Sequence, residues 1–321
     1  MRANNSPQFN RTPIFIALGL ALLLVLGVLG GARWVAGQSS QGPVQMAELP
    51  GGNADHPACA PLLEELPEEV AGFQRAEVAE PAPAGAAAWV AGEADELTLR
   101  CGVDLPFQYT ALSETTEVDG TEWLHVVDPS TGDALQTWYT VNRSPAVAVT
   151  VYQIDPETSD AGAAPAEDLA EAMATLPEER QEPNPAPLAG LESAADANAR
   201  CGDLMGNLPE SFGTDPEYRR ISTADTGLPA DTTAAWGAPG VEPVVLRCGV
   251  TPPENYEVGI RLNQINEIPW FEDTTLANGT TSSTWFALGR DTDIAVSVPQ
   301  ASGNSAVVTL GDAIAEHTGE Q

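Results

Sequence analysis

The residues with which this chain of 321 amino acids could do chemistry are three histidines, four cysteines and 46 aspartates and glutamates. Their spacing excludes more than it suggests. His56, His125 and His317 are scattered and no C-x-x-C occurs, so a zinc site or a His-based triad is poorly supplied. No H-E-x-x-H, G-x-S-x-G, phosphate-binding loop or dinucleotide fingerprint is present. Lysine is absent and all 13 basic residues are arginine, which removes Lys-based nucleophilic and Schiff-base chemistry. A glycoside hydrolase needs only two carboxylates, so the abundance of acids leaves hydrolysis open without locating it. Asp291-Thr292-Asp293 and Asp128 with Asp133 offer oxygens to a divalent cation, but neither follows a calcium-loop pattern. No metal and no cofactor is expected.

What remains are arginines and tryptophans that occur twice. Ala87-Ala88-Trp89 recurs as Ala234-Ala235-Trp236, and at the same spacing Leu99-Arg100-Cys101-Gly102-Val103 recurs as Leu246-Arg247-Cys248-Gly249-Val250. Trp123, Trp138 and Arg143 recur in step as Trp270, Trp285 and Arg290, followed by Val149 and Val151 as Val296 and Val298. Ungapped self-similarity over such a length marks a tandem duplication. In so acidic a chain the repeated arginines, Arg100 with Arg247 and Arg143 with Arg290, have two uses. Each bridges to a neighbouring carboxylate, or each is a fork for a ligand carboxylate or phosphate. The tryptophans supply packing area or a stacking platform. Arg143, Arg290, Trp138, Trp285 and Trp236 are the candidate ligand-binding residues. His125 does not repeat; its counterpart is Glu272.

The elements that must position these residues read as α+β. Pro61 to Leu66 predicts a short helix stopped by Pro67, with Cys59 just before it. Leu97, Leu99 and Cys101 alternate as a strand does, as do Val147, Val149 and Val151. Trp123 to Trp138 predicts a hairpin that puts both indoles on one face, opposite or diagonal, turning at Ser130-Thr131-Gly132-Asp133 in the first copy and at Asn278-Gly279 in the second. Leu169 to Met173, echoed by Leu310 to Ile314, closes each unit with a helical segment. Each unit is thus an antiparallel sheet with flanking helices. Four cysteines allow three pairings, but only Cys59 with Cys101 and Cys201 with Cys248 let one ancestral domain form its own bond before duplication.

Ile14 to Ala32 carries no charge over 19 residues, close to the ~20 of a membrane-crossing helix. Arg2 and Arg11 precede it, and every acid follows it, which orients the amino terminus to the cytoplasm and the rest outside. A cleaved signal peptide is the competing reading. The expected organisation is therefore a cytoplasmic terminus (1–13), a signal-anchor helix (14–32), a stalk (33–57), a first domain (58–177), a Pro- and Ala-rich linker (178–199) and a second domain (200–318). The net charge of −33 repels nucleic acid and argues against any phosphate-backbone partner.

The assembled pattern, with Ala234-Ala235-Trp236-Gly237-Ala238-Pro239, Val245 to Val250, Trp270 and Arg290, resembles an actinobacterial domain-of-unknown-function family, number 3515. The first copy departs from it, with Val90-Ala91-Gly92 in place of the Gly-x-Pro element. The resemblance implies an exported or membrane protein and transfers no activity. The sequence thus leads to the expectation of a single-pass cell-membrane protein with an extracytoplasmic, non-enzymatic module that binds a small ligand or an envelope protein. The alternative is an envelope-acting hydrolase or transferase whose carboxylates the sequence does not identify.

Overall fold

A computed structural model describes residues 12–39, 42–92, 94–132, 134–153, 165–257, 259–276 and 281–321. Thr12–Ser39 forms helix α1. Its described side chains, Phe15 and those of 19–31, are exposed. Among the described residues no helix is long and apolar enough to cross a membrane; the expected span 14–32 falls within α1 with only part of its side chains described, and nearly all of 1–13 lies outside the described residues.

Two domains follow, built alike. The first comprises α2 (Cys59–Glu64), β1 (Glu69–Val70), β2 (Phe73–Ala76), β3 (Ala86–Ala91), β4 (Asp95–Cys101), β5 (Thr115–Val118), β6 (Thr121–Val127), β7 (Leu135–Thr140), β8 (Val147–Tyr152) and α3 (Ala170–Met173). The second comprises α4 (Ala197–Asn207), β9 (Ser211–Phe212), β10 (Tyr218–Ile221), β11 (Thr233–Ala238), β12 (Val241–Cys248), β13 (Asn263–Ile265), β14 (Ile268–Asp273), β15 (Ser282–Ala287), β16 (Ile294–Pro299) and α5 (Ser305–His317). The strand orders, β1-β2-β3-β4-β8-β7-β6-β5 and β9-β10-β11-β12-β16-β15-β14-β13, are the same topology twice, antiparallel throughout.

Alternation produces the layers. Leu97, Leu99 and Cys101 on β4 and Val147, Val149 and Val151 on β8 all turn to the face covered by α2 and α3, where Leu62, Leu169 and Met173 meet them. Burying each such side chain contributes about 1.5–3 kcal/mol. Trp138 lies opposite His125 and Trp123 opposite Thr140, so the two indoles are diagonal on that same face; Trp270 and Trp285 repeat the arrangement. Asp128 accepts from the Ser130 N–H to make the first hairpin turn. Asp133, and Asn278-Gly279 of the second turn, lie outside the described residues. Both within-repeat disulfides form, with Cα–Cα distances of 5.7 and 5.9 Å. Cys59 and Cys201 lie inside α2 and α4, not ahead of them as expected.

The expected boundaries need correction. From residue 42 the stalk belongs to the first domain: Val44 and Met46 are buried on Ala88, and the Asn53 N–H donates to the Gly102 carbonyl. A side chain on Gly102 would meet the Asn53 carbonyl at 2.1 Å, and its φ is +77, which explains the glycine of the LRCG motif; Gly249 stands likewise against Ala197. The start of the linker also belongs to the first domain. Ser144 N–H donates to the Pro177 carbonyl and Glu179 N–H to that of Asn142, just as Asp291 and Gln321 bond Gly319 and Gly289 in the second copy. Beyond Asn184 the linker lies on the second domain, with Ala186 packed on Ala235 and Val245, and Leu188 and Leu191 on Phe271, Phe286 and Ala295. Its composition suggests a free chain, but its few apolar residues are spaced to cover a sheet face.

Candidate functional site

The two domains meet through features that differ between the copies. The turn joining β11 to β12, Pro239 and Gly240, reaches the last residues of β6, which extend past the end of β5 and leave an open edge. There the Val127 N–H donates to the Gly240 carbonyl at 2.7 Å. A β-carbon at Gly240 would meet Val127 Cγ2 at 2.5 Å and the His125 ring at 3.3 Å, and its φ is +73, so glycine is required by both backbone and contact. His125 stacks on Trp138 with ring centroids 4.5 Å apart and shares a hydrogen bond with Gln136 Oε1. Burial lowers its pKa, opposed by that bond. On the other side Leu112, from the loop between β4 and β5, joins Ala186 on the second sheet.

Between these contacts runs a cleft with two lobes that share Gln108, Glu242 and Pro243. The smaller, about 260 Å³, lies between His125 to Pro129 and Gly237 to Pro243. The larger, about 620 Å³, is within the usual size of small-molecule sites, which favour domain interfaces. Its floor is the outward face of β15 and β16, where Ser282, Thr284 and Ser297 present hydroxyls. Its walls are Pro185, Pro187, Leu188 and Leu191, and Phe107 stands at the rim, 59% exposed. Glu242 is the one charged group lining this lobe among the described residues, and it accepts from Thr281 Oγ1 and Ser282 Oγ. No arginine lines either lobe among the described residues.

The arginines and tryptophans singled out from the sequence lie elsewhere. Arg143, 3% exposed, donates to Thr121 Oγ1 and the Gly120 carbonyl and pairs with Glu178 at 3.3 Å. Arg290 donates to Thr318 Oγ1 and to the carbonyls of Ala315 and Thr318, with Glu320 at 4.0 Å. Both thus fasten the segment after the closing helix, and the bridge to a neighbouring carboxylate is the use the structure shows. Trp236 is fully buried, donating from its indole to the Pro209 carbonyl, as Trp89 does to Pro67; this ties the Ala-Ala-Trp strand to the proline that follows the first helix of each domain. Arg220 lies over the Trp236 ring and Arg75 over Trp89, a repeated pair the sequence reading missed. Trp285 packs on the second core, and Trp138 touches the cleft only through His125.

Arg100 and Arg247 part company. Arg247, 2% exposed, donates to the carbonyls of Leu188 (2.7 Å) and Leu191 (2.6 Å) and to Ser193 Oγ (2.8 Å), clamping the linker that walls the cleft. Desolvation lowers the pKa of both arginines. The sequence signal for the cleft was the Gly-Ala-Pro-Gly of the second copy against Val-Ala-Gly in the first, together with the unrepeated His125.

A family model described as a protein of unknown function (DUF3515) matches residues 18–181 and again 172–321. The overlap falls in the stretch that ends one domain and leads to the next. No curated protein and no solved structure matches the chain.

Proposed function

The chain belongs to that family of unknown function in two tandem copies, and from this premise we propose that it is a membrane-anchored, extracytoplasmic binding module whose interdomain cleft takes a neutral, partly apolar ligand. The observation that carries this is the lining of the larger lobe: hydroxyls below, prolines and leucines at the sides, an exposed phenyl at the rim and a single carboxylate. Such a surface gives a ligand apolar contact and hydrogen-bond partners, while the protein's negative field and Glu242 oppose anions. The chemistry of a neutral saccharide or polyol, with hydroxyl edges and apolar faces, suits it. Anchoring is supported by the 19 uncharged residues from Ile14 to Ala32 and the arginines before them.

The test is thermal unfolding of the oxidised protein with neutral saccharides, matched acidic sugars and simple carboxylates. A ligand at about 100 times its Kd raises native stability by roughly 2.7 kcal/mol. An upward shift confined to neutral ligands, and lost in Phe107→Ala, supports the reading. A shift with the anionic ligands alone, or one unchanged in Phe107→Ala and Thr284→Val, refutes it. Anchoring is tested by intact mass and alkaline extraction of membranes; release of a chain lacking residues 1–36 overturns it.

A further inference from the structure

The covering of the two sheets is unequal. On the outward face of the second sheet, Arg247, Ala295 and Phe286 stand in one row across β12, β16 and β15. That row is roofed by Leu188 and Leu191, whose carbonyls Arg247 holds. The same row in the first domain is Arg100, Ala148 and Tyr139 across β4, β8 and β7. The segment that should roof it is 47–53, which occupies the same place in the chain ahead of the Gly102 contact that 188–194 occupies ahead of Gly249. That segment is exposed throughout, with Leu49 58% exposed and Gly52 bonded instead to Asp104.

Among the described residues the Arg100 guanidinium and the Tyr139 hydroxyl have no hydrogen-bond or ion-pair partner. Both groups are half-buried, and desolvation is the one cause shifting each: Arg100 downward, Tyr139 upward. A guanidinium without a partner in a chain of net charge −33 is an unused donor of the most strongly binding kind.

We propose that the outward face of the first sheet, at Arg100, Ala148 and Tyr139, docks an extended, Pro- and Leu-containing segment of another polypeptide, with the chemistry of residues 184–193. Arg100 would donate to two of its carbonyls as Arg247 does to those of Leu188 and Leu191. Two leucines of the segment would pack on the Arg100 stem and the Tyr139 ring, which flank the buried Ala148, and Tyr139 would donate to a third acceptor that its counterpart Phe286 cannot serve. The occupant is inferred from the second domain, where such a segment is seated on the same row.

The experiment uses the full chain, oxidised and in detergent, with a labelled, end-blocked peptide of residues 184–193 followed by anisotropy. Saturable binding below about 1 mM is expected, the weak end of specific recognition. Arg100→Ala should weaken it about tenfold or more, Arg100→Lys should restore it only in part, and Tyr139→Phe should weaken it several-fold, in line with losing a hydrogen bond. A peptide with serine at both leucine positions should not bind. Absence of saturation, or wild-type binding by both Arg100→Ala and Tyr139→Phe, overturns the proposal. So does inorganic phosphate binding at Arg100 where the peptide does not. Because the peptide face and the cleft share no side chain, failure here leaves the saccharide test unaffected.

Discussion

Arg247→Ala and Arg100→Ala remove the same side chain from the same strand position of two copies of one fold, and the structure gives them different costs. Arg247 donates three hydrogen bonds to the linker, and each bond to a charged group contributes about 1.5–3 kcal/mol. The linker carbonyls recover water when released, and the Nε of Arg247 is already buried without a partner, so the net loss falls below the sum. We take about 3 kcal/mol for local opening of 186–193. Arg100 loses no bond and should cost no more than about 0.5 kcal/mol. A chain of two domains does not unfold in one step, so global melting would blur the difference. Native-state hydrogen exchange resolves it. The Ala194 N–H donates to the Gly249 carbonyl and the Thr251 N–H to that of Glu192, and both report on the clamped segment. In Arg247→Ala they should exchange roughly 100-fold faster, since each 1.4 kcal/mol is a factor of ten. In Arg100→Ala they should not change. Equal protection in both variants would refute the clamp.

Three further outcomes follow from the geometry. Reducing Cys59–Cys101, which closes a loop of sequence separation 42, should cost the first domain about 4 kcal/mol, read as a lowered melting temperature with and without reductant. Gly240→Val should strain the turn and push against Val127 and His125, separating the domains; faster proteolysis near 182–187 with both cores intact by near-ultraviolet circular dichroism is the expected result. His125 has a folded pKa below its unfolded value near 6.5, so its contribution is full above that pH and is lost as pH falls through it, where the unfolded chain takes up the proton first. Chemical unfolding at pH 7.5 and 5.5 should show this loss in the wild type and less of it in His125→Gln.

The duplication, the paired strands, the sharing of one face by the two indoles and both disulfides were legible because they are local or repeated; that the indoles are diagonal needed the register. Period-two valines and two cysteines in each copy need no knowledge of the rest of the fold. The boundaries were not legible, because 178–193 looks like a linker by composition while its backbone carbonyls are spoken for by Arg247 and its alanine and leucines by the second sheet. The arginines were legible in part. Arg143 and Arg290 do pair with carboxylates, Glu178 and Glu320, but their other partners are backbone carbonyls and threonine hydroxyls, which no residue pattern displays. The cleft was illegible because it forms from where the copies differ, and a search for likeness passes over such positions.

That difference also gives the contact between the two copies a direction. A turn of one repeat docking on the open edge of the one before is a head-to-tail contact, which does not close on itself and would propagate along any chain of identical copies. Here the first copy lacks the turn of that contact and the second copy lacks its edge. The first copy's turn carries Ala91-Gly92 where the second has Ala238-Pro239-Gly240, and the second copy's edge carries Glu272 where the first has His125. A carboxylate on an edge strand opposes further pairing, whereas a neutral imidazole stacked on Trp138 accepts Gly240 against its ring. Replacing Glu272 by histidine and Ala91-Gly92 by the second copy's turn should therefore supply both halves of the missing contact, and the variant should associate end to end, measurable as concentration-dependent mass by light scattering. Either replacement alone should leave the wild-type mass unchanged, since each provides only one side of the joint.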